Sequence, residues 1–217
     1  MALAIFDLDE TLIDGDCASL WSGRMGALGW VDSESFMREN DALMSAYNEG
    51  RLAMEDYMAF TLAPLKGRHG SDVAALIERF IDEVVEPRIY NDARRVVDAH
   101  RVANDRLLVI SASGEHLVRP IAARLGIGEV LAIDLDTDNG KYTGNTCGIL
   151  TYREGKVLRL EEWMRVQHET FEGASFYSDS RNDLPLLQRV ERPCAVNPDP
   201  VLLEHATQVG WPVFTWK

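Results

Sequence analysis

The sequence predicts an α/β protein with a parallel sheet and a helical insertion after its first strand. Four short apolar runs, at residues 2–6, 107–110, 130–133 and 174–177, have the unbroken hydrophobicity of strands that are buried on both faces. Stretches with apolar residues at helical spacing separate the later runs. Strands and helices that alternate in this way are typical of the α/β class.

The insertion is the longest break in this alternation. Residues 14–87 carry apolar side chains at helical spacing, among them Leu52, Tyr57 and Phe80, and show no convincing strand pattern. We therefore expect a helical unit between the first strand and the rest of the sheet.

The later elements complete the predicted sheet. In chain order they are a helix over 115–125, an edge hairpin over 134–152, a helix over 156–170, a short helix over 201–206 and a final strand over 209–214. The dipeptide Asn139-Gly140 favours the tight turn of the hairpin. Asn, Pro and Asp residues at 197–200 favour a turn before the last helix.

Composition limits the classes of function. The 217 residues include 22 Lys and Arg against 35 Asp and Glu, a formal net charge of −13. Such a surface repels phosphate polymers and anionic lipid, so we expect neither nucleic acid nor a membrane as partner. The three cysteines are far apart, and the first apolar run is short and followed by acids, which favours reduced thiols and a cytoplasmic protein without a signal peptide. We expect a monomer or a homodimer.

Acidic residues follow the first strand directly. Asp7 and Asp9 stand two residues apart in the run Asp7-Leu8-Asp9-Glu10-Thr11. Ligands of open α/β sheets bind at the carboxyl ends of the strands. Because crowded carboxylates repel each other, this cluster indicates a bound cation or an acid and base with separate tasks. A solvated acidic loop is the alternative for this motif taken alone.

Polar residues also follow two later strands. Ser111 ends the second run before a predicted helix, where a hydroxyl and free N–H groups suit a phosphate, although an ordinary N-cap is the alternative. Asp179 and Asp183 follow the last run. Together with the first acidic pair they could hold a hard cation such as Mg²⁺. Lys156 could then offset phosphate charge, although a single lysine is more often a surface residue.

In order and spacing these residues resemble the four signature motifs of the haloacid dehalogenase superfamily, in the branch (subfamily IB) that includes histidinol-phosphatases and phosphoserine phosphatases. The resemblance runs from Asp7 to about Asp199. It implies a doubly wound, Rossmann-like core formed by residues 1–13 and 88–217, with residues 14–87 as a helical cap. It also implies a Mg²⁺-dependent phosphatase that acts on a small phosphorylated metabolite.

The resemblance further implies catalytic and metal-binding roles. Asp7 would be the nucleophile that forms an aspartyl-phosphate, and Asp9 the acid and then the base. Mg²⁺ would be held by Asp7, the backbone carbonyl of Asp9 and Asp179, with Asp183 in support. Dehalogenases of the superfamily lack the acid that matches Asp9, so phosphoryl transfer is the better prediction.

Substrate contacts are implied in the same way. Ser111, Lys156 and Asn182 would bind the phosphoryl oxygens. Asp16, nine residues after the nucleophile, stands where phosphoserine phosphatase has an acid for the substrate amine.

The acidic insertion favours L-histidinol phosphate, which has an amine and an imidazole but no carboxylate. No arginine of the insertion matches a motif that would bind a substrate carboxylate, which weakens the phosphoserine prediction. A phosphoserine phosphatase or a phosphatase of broad specificity remains the alternative. From other classes, a phosphotransferase and a non-catalytic metal- or metabolite-binding module also remain open.

Overall fold

A seven-stranded sheet forms the centre of the computed structural model, which describes residues 2–217. Its strands are β1 (Leu3–Phe6), β2 (Arg106–Gly114), β3 (Glu129–Asp138), β4 (Lys141–Cys147), β5 (Ser175–Ser178), β6 (Arg192–Val196) and β7 (Val213–Phe214).

The strand order is β4-β3-β2-β1-β5-β6-β7, and every neighbouring pair is parallel except β3 with β4. The chain builds one half of the sheet outward from β1 through β2 and β3, and the other half through β5 and β6. The predicted α/β class with a doubly wound, mostly parallel sheet is thus confirmed. Ligands of such sheets bind where the strand order reverses, beside the carboxyl end of β1.

Nine helices surround the sheet within the part of the chain that the structure describes. They are α1 (Cys17–Ala27), α2 (Ser33–Asn48), α3 (Met54–Leu62), α4 (Gly70–Phe80), α5 (Asn91–Val102), α6 (Glu115–Arg124), α7 (Glu154–Gln167), α8 (Leu184–Leu187) and α9 (Pro200–Val209). Short 3₁₀ turns and one π turn, at Ile81–Val85, link some of them. Over residues 2–217 no helix is long and apolar enough to cross a membrane.

The segment between β1 and α5 is helical, as its periodicity predicts. It holds α1 to α4, and among its described residues there is no strand. Asp16 and Asp32 start α1 and α2 because their carboxylates accept hydrogen bonds from the N–H groups of Ser19 and Ser35.

A continuous apolar cluster joins these helices to one face of the sheet. Trp21 of α1 packs against Phe80 of α4, with 5.2 Å between ring centroids, and both belong to the same buried cluster as Phe6 of β1. Fully burying one side chain of this size stabilises the fold by about 1.5–3 kcal/mol. The other face of the sheet buries a second cluster with α7, α8 and α9.

Several element boundaries differ from the predicted ones. β2 continues to Gly114, so Ser111 lies inside the strand rather than after it. α9 runs to Val209, because Asp199 caps its start and Gly210, at φ +78°, ends it. The predicted strand over 209–214 is therefore reduced to Val213–Phe214.

His116, in the first turn of α6, has a buried ring nitrogen without a hydrogen-bond partner among the described residues. Among residues 2–217 nothing bonds its Nδ1 atom, and its ring lies edge-on to that of Tyr142 at 6.0 Å. Burial lowers its pKa to about 4. Above about pH 4 the folded protein therefore keeps this imidazole mostly neutral.

We expect the free energy of unfolding to lose a His116 contribution as the pH falls from about 6.5 towards 4. In that range the unfolded chain binds a proton at this residue and the folded chain does not. His116→Leu should remove this loss. The free energy of unfolding of the variant, minus that of wild type, should therefore be about 1–3 kcal/mol larger at pH 4 than at pH 7. Urea unfolding at both pH values measures this. A wild-type-to-variant difference that stays constant with pH would contradict it.

Candidate active site

A cavity of about 560 Å³ lies at the carboxyl ends of β1, β2 and β5, under the helices of the insertion. Its lining residues come from the sheet edge, from the N-cap of α1, from α2 and its C-cap, and from α3 and α9. The sheet edge contributes Asp7, Asp9, Glu10, Ala112, Ser113, Asp179, Ser180 and Arg181, and the insertion contributes Asp16, Met44, Tyr47, Glu49, Met54 and Tyr57. The predicted convergence of the strand-end motifs is therefore present.

Lys156, from the first turn of α7, lies behind this cavity between two carboxylates. Its Nζ donates to Asp7 at 2.7 Å and to Asp183 at 2.8 Å, and only 2% of its side chain is exposed. Asp183 also accepts from the Ser178 hydroxyl at 2.7 Å. The lysine thus joins the end of β1 to the segment after β5, and it is not a surface residue.

Asp9 is held by the insertion and by β2. One carboxylate oxygen accepts from the N–H of Cys17, the first residue of α1, at 2.7 Å. The other accepts from the hydroxyl of Ser113 at 2.8 Å and from that of Ser111 at a longer 3.4 Å. Ser111 also accepts from the Ser113 N–H at 3.0 Å, so its buried hydroxyl organises this turn of the strand.

Asp179 is paired with a neutral partner. The Thr11 hydroxyl donates to its carboxylate at 3.1 Å and accepts from its backbone N–H at 3.0 Å. Both bonds fix the end of β5 against the turn that follows β1.

The site holds more negative charge than its lysine can neutralise. Burial raises the pKa of Asp7 to about 7, even though the Lys156 ammonium acts in the opposite direction. Burial, with repulsion from Asp7 and Asp183, raises the pKa of Asp179 well above its usual range. Burial would lower the pKa of Lys156, but the two carboxylates outweigh it and the pKa is raised. An additional cation at this point would relieve the repulsion.

The oxygen-rich chemistry of the site suits a hard divalent cation. Among residues 2–217 no three His, Cys, Asp or Glu side chains are grouped closely enough to enclose a metal by themselves. Mg²⁺ does not require that, because it commonly binds one or two carboxylates and completes its shell with phosphate and water. Asp7, Asp179 and the carbonyl of Asp9, the predicted ligands, have oxygen donors of this kind, and their assignment as ligands stays a prediction.

The part of the cavity wall that the insertion contributes is acidic and aromatic. Asp16 lines it and also caps α1, accepting from the Ser19 N–H at 2.6 Å, while burial raises its pKa to about 7. Tyr47 and Glu49, at the end of α2, line the same wall as Tyr57 of α3. Other acids of the insertion are exposed on its surface: Asp14, Glu39, Asp41, Glu55 and Asp56.

Asn182 lies beside the cavity, and three neighbouring residues bond its amide. Its Oδ1 accepts from Arg153 Nε at 3.1 Å and from the Tyr152 hydroxyl at 3.3 Å, and its Nδ2 donates to the Tyr47 carbonyl at 3.3 Å. The residue is 4% exposed. Its predicted contact with a phosphoryl group stays a prediction.

Some residues of the site are not identified by any local pattern in the sequence. Ser113 and Thr11 are recognisable only once Asp9 and Asp179 are placed, although the pair of serines two apart at a strand end is a usable hint for Ser113. Tyr47 and Glu49 reach the cavity through the packing of α2, which local patterns do not reveal. Arg181 also lines the cavity, directly after the acidic strand end.

Comparison with known proteins agrees with this geometry. The model of the haloacid dehalogenase-like hydrolases matches residues 4–188. A histidinol-phosphatase of Neisseria meningitidis serogroup C (strain 8013) is 38% identical, over 99% of both chains. A crystal structure of a protein of unknown function from Bordetella pertussis Tohama I superposes with a TM-score of 0.91 at 36% identity, covering 98% of this chain and 97% of that one. A phosphoserine phosphatase trapped as an analogue of its phospho-aspartyl intermediate shares the fold, with a TM-score of 0.73 at 20% identity over 100% of this chain and 93% of the other.

The family predicted from the motifs is confirmed, since its model spans most of the chain from β1 to the residue that follows α8. The full-length likeness to a phosphatase agrees with the acidic sheet edge described above. This chain belongs to the haloacid dehalogenase-like hydrolases and is a phosphoric monoester hydrolase.

Proposed function

We propose that this hydrolase removes the phosphoryl group from a small amino-alcohol phosphate, with L-histidinol phosphate as the best-supported substrate. The observation that carries the proposal is a cavity lined both by Asp7 and Asp9 of the sheet edge and by Asp16, Tyr47 and Tyr57 of the insertion. The strand ends offer groups for a phosphate, and the insertion offers groups for a cationic leaving alcohol.

In the proposed chemistry Asp7 is the nucleophile and Asp9 the acid and base. A carboxylate oxygen of Asp7 bonds to phosphorus, the bond from phosphorus to the alcohol oxygen breaks, and Asp9 gives that oxygen its proton. Asp9 then takes a proton from the water that attacks the aspartyl-phosphate, which releases phosphate and restores Asp7. The bonds from Cys17 N–H and Ser113 to Asp9 support this role, because they fix the carboxylate beside the cavity.

We propose that Lys156, Ser111 and Asn182 position and neutralise the phosphoryl oxygens. The ammonium of Lys156 already lies 2.7 Å from Asp7, so charge compensation is built in next to the attacking oxygen. Phosphoryl transfer depends more on positioning and charge neutralisation than on covalent assistance.

Mg²⁺ is the proposed cofactor. Asp7, Asp179 and the backbone carbonyl of Asp9 would hold it, and Asp183 would support the site through its bond to Lys156. When bound, the ion supplies the positive charge that lets a carboxylate approach a phosphate dianion. The excess of buried carboxylates over ammonium groups supports this assignment.

Residues 14–87 would act as a cap over a core formed by 1–13 and 88–217, closing around the leaving group and excluding water. The location of Asp16, Tyr47 and Glu49 on the cavity wall supports this division. A small metabolite is the expected partner, because a polymer of phosphates would meet repulsion from this wall.

The choice of L-histidinol phosphate rests on the chemistry of that wall. The Asp16 carboxylate suits an ammonium group, and the rings of Tyr47 and Tyr57 offer faces on which an imidazole can pack. The full-length similarity to a protein named histidinol-phosphatase supports the same choice.

Phosphoserine is the second candidate, because Arg181 places a guanidinium on the cavity lining where a substrate carboxylate could bind. No arginine of the insertion is among the described residues that line the cavity. Arg24 and Arg38 are paired with Glu83 and Glu34, and Arg51 with Glu49.

Asp7→Asn should lower phosphate release by more than about a thousandfold, because an amide cannot serve as the nucleophile. The fold should remain, since the change removes one of several mutually repelling carboxylates. Phosphate release from L-histidinol phosphate and circular dichroism test both points. Retained activity in the pure, folded variant would refute the nucleophile assignment.

Removing divalent cations with EDTA should abolish turnover, and added Mg²⁺ should restore it. At about one hundred times its dissociation constant Mg²⁺ should also raise the midpoint of thermal unfolding by about 5–10 °C. Asp179→Asn should lose most of this shift, whereas Asp138→Asn, at the exposed end of the hairpin strand, should keep it. Turnover that persists in EDTA would exclude the proposed cofactor.

Asp16→Asn should remove the negative charge of the side chain but keep the N-cap of α1, because asparagine also caps helices well. We expect KM for L-histidinol phosphate to rise about tenfold, with little change for glycerol phosphate, which has no amine. Because burial raises the pKa of Asp16 to about 7, the advantage of wild type over the variant should increase as the pH rises through 7. An equal effect on both substrates would argue against amine recognition by Asp16.

A further inference from the structure

The side chains of Arg153 and Asn182, which lie outside the insertion, hydrogen-bond to the carboxyl end of α2. Arg153 donates from Nη2 to the Gly50 carbonyl and from Nε to Asn182 Oδ1, the latter at 3.1 Å. Asn182 in turn donates to the Tyr47 carbonyl at 3.3 Å. We call this set of hydrogen bonds, from Arg153 and Asn182 to the carbonyls of Gly50 and Tyr47, the Arg153 latch.

The backbone of Arg153 is in a conformation that a side chain disfavours. Its φ is +50° and its ψ is −120°, a region that glycine adopts readily and other residues do not. Such strain persists where surrounding contacts hold the residue in place, and it is common at functional sites. Arg153 is the N-cap of α7 but makes no capping hydrogen bond with its side chain, so capping does not explain the arginine.

The carboxyl end of α2 has a backbone geometry that leaves room for the Arg153 guanidinium. The helix terminates in a glycine motif, with bonds from Gly50 N–H to the Tyr47 carbonyl at 2.9 Å and from Arg51 N–H to the Ala46 carbonyl at 2.8 Å. A Cβ on Gly50 would lie 2.8 Å from Arg153 Nη2, and the φ of Gly50 is +70°. A cation at this place also complements the negative end of the helix dipole.

The segments that the Arg153 latch joins both contain residues in or next to the candidate active site. Lys156 follows Arg153 by three residues on α7, and Asn182 precedes Asp183, the other partner of that lysine. At the opposite end, Tyr47 and Glu49 line the cavity. The latch therefore connects the cavity wall of the insertion directly to the segments that hold the buried lysine.

We propose that Arg153 is a positioning residue, which holds the α2 end closed over the cavity in a fixed relation to the Lys156 and Asp183 segments. It touches no reacting atom. The inference rests on the proposed function for its effect on turnover, whereas the latch itself exists without substrate.

Arg153→Gly tests this directly, because glycine relieves the backbone strain and removes only the side chain. We expect its midpoint of thermal unfolding to equal or exceed that of wild type. Amide hydrogen exchange in the segment 45–51 should become about tenfold faster, with no change at 33–40, the other end of α2. Arg165→Gly would destabilise α7 itself, so Arg165→Ala, an exposed arginine on the same helix, is the matched control and should leave exchange at 45–51 unchanged.

Kinetics give the second readout. In Arg153→Gly, kcat/KM for L-histidinol phosphate should fall about tenfold, while acetyl phosphate, whose leaving group is too small to span the cavity, should be affected less. Arg153→Lys, which keeps the charge but cannot donate to two acceptors in the same fork, should fall between wild type and Arg153→Gly. If the glycine variant does not fold, the lysine variant carries the test by itself.

Unchanged exchange at 45–51 in both variants would overturn the latch. Faster exchange with unchanged kcat/KM for L-histidinol phosphate would overturn the positioning role. A wild-type enzyme that hydrolyses neither substrate would instead refute the proposed function, and the exchange measurement would still decide whether the latch exists.

Discussion

The buried ammonium of Lys156 is the interaction on which the rest of the site depends. It fixes the distance between Asp7 at the end of β1 and Asp183 after β5, and it does so from α7 on the far side of the sheet. A buried ion pair contributes little net stability, because desolvation offsets the attraction between its charges. Its value here is geometric. The end of β1, the segment after β5 and the start of α7 meet at the Lys156 nitrogen. The carboxylates around it carry more negative charge than this one ammonium can neutralise.

The strand order makes that meeting possible. β1 lies between β2 and β5, and the N–H of Asp7 bonds the carbonyl of Tyr177 at 2.9 Å, so the two acidic strand ends lie side by side. Behind this edge, Phe6 stacks on Tyr177, whose hydroxyl lies 2.9 Å from a nitrogen of His100. The sheet therefore supplies a rigid floor. The insertion completes the site, because the first N–H of α1 holds the Asp9 carboxylate.

The sequence predicts the strand-end residues of the site far better than the residues that the helices of the insertion contribute. The elements that carry Asp7, Ser111 and Asp179 could be predicted because unbroken apolar runs identify buried strands, and parallel strands bring their carboxyl ends to one edge. Lys156 could be named as a cation for the site, but a single lysine is more often a surface residue, and the family resemblance was needed to prefer the buried role. The walls depend on how amphipathic helices pack against each other, and helical spacing does not determine that packing. For the same reason Tyr47 and Arg153 have no signature in the sequence.

The charge pattern of the cavity constrains the shape of its ligand. In the proposed function a phosphate requires positive charge close to Asp7, and the Lys156 ammonium provides part of it. The insertion contributes Asp16, whose carboxylate repels a second anion and attracts a cation, whereas Glu49 is paired with Arg51. A molecule with a phosphate at one end and an amine at the other satisfies both sides together, whereas a polyphosphate or a nucleic acid satisfies only one. Holding the wall at a fixed distance from the lysine therefore sets the length of the molecules that fit, which gives the strained backbone of Arg153 a physical reason to persist.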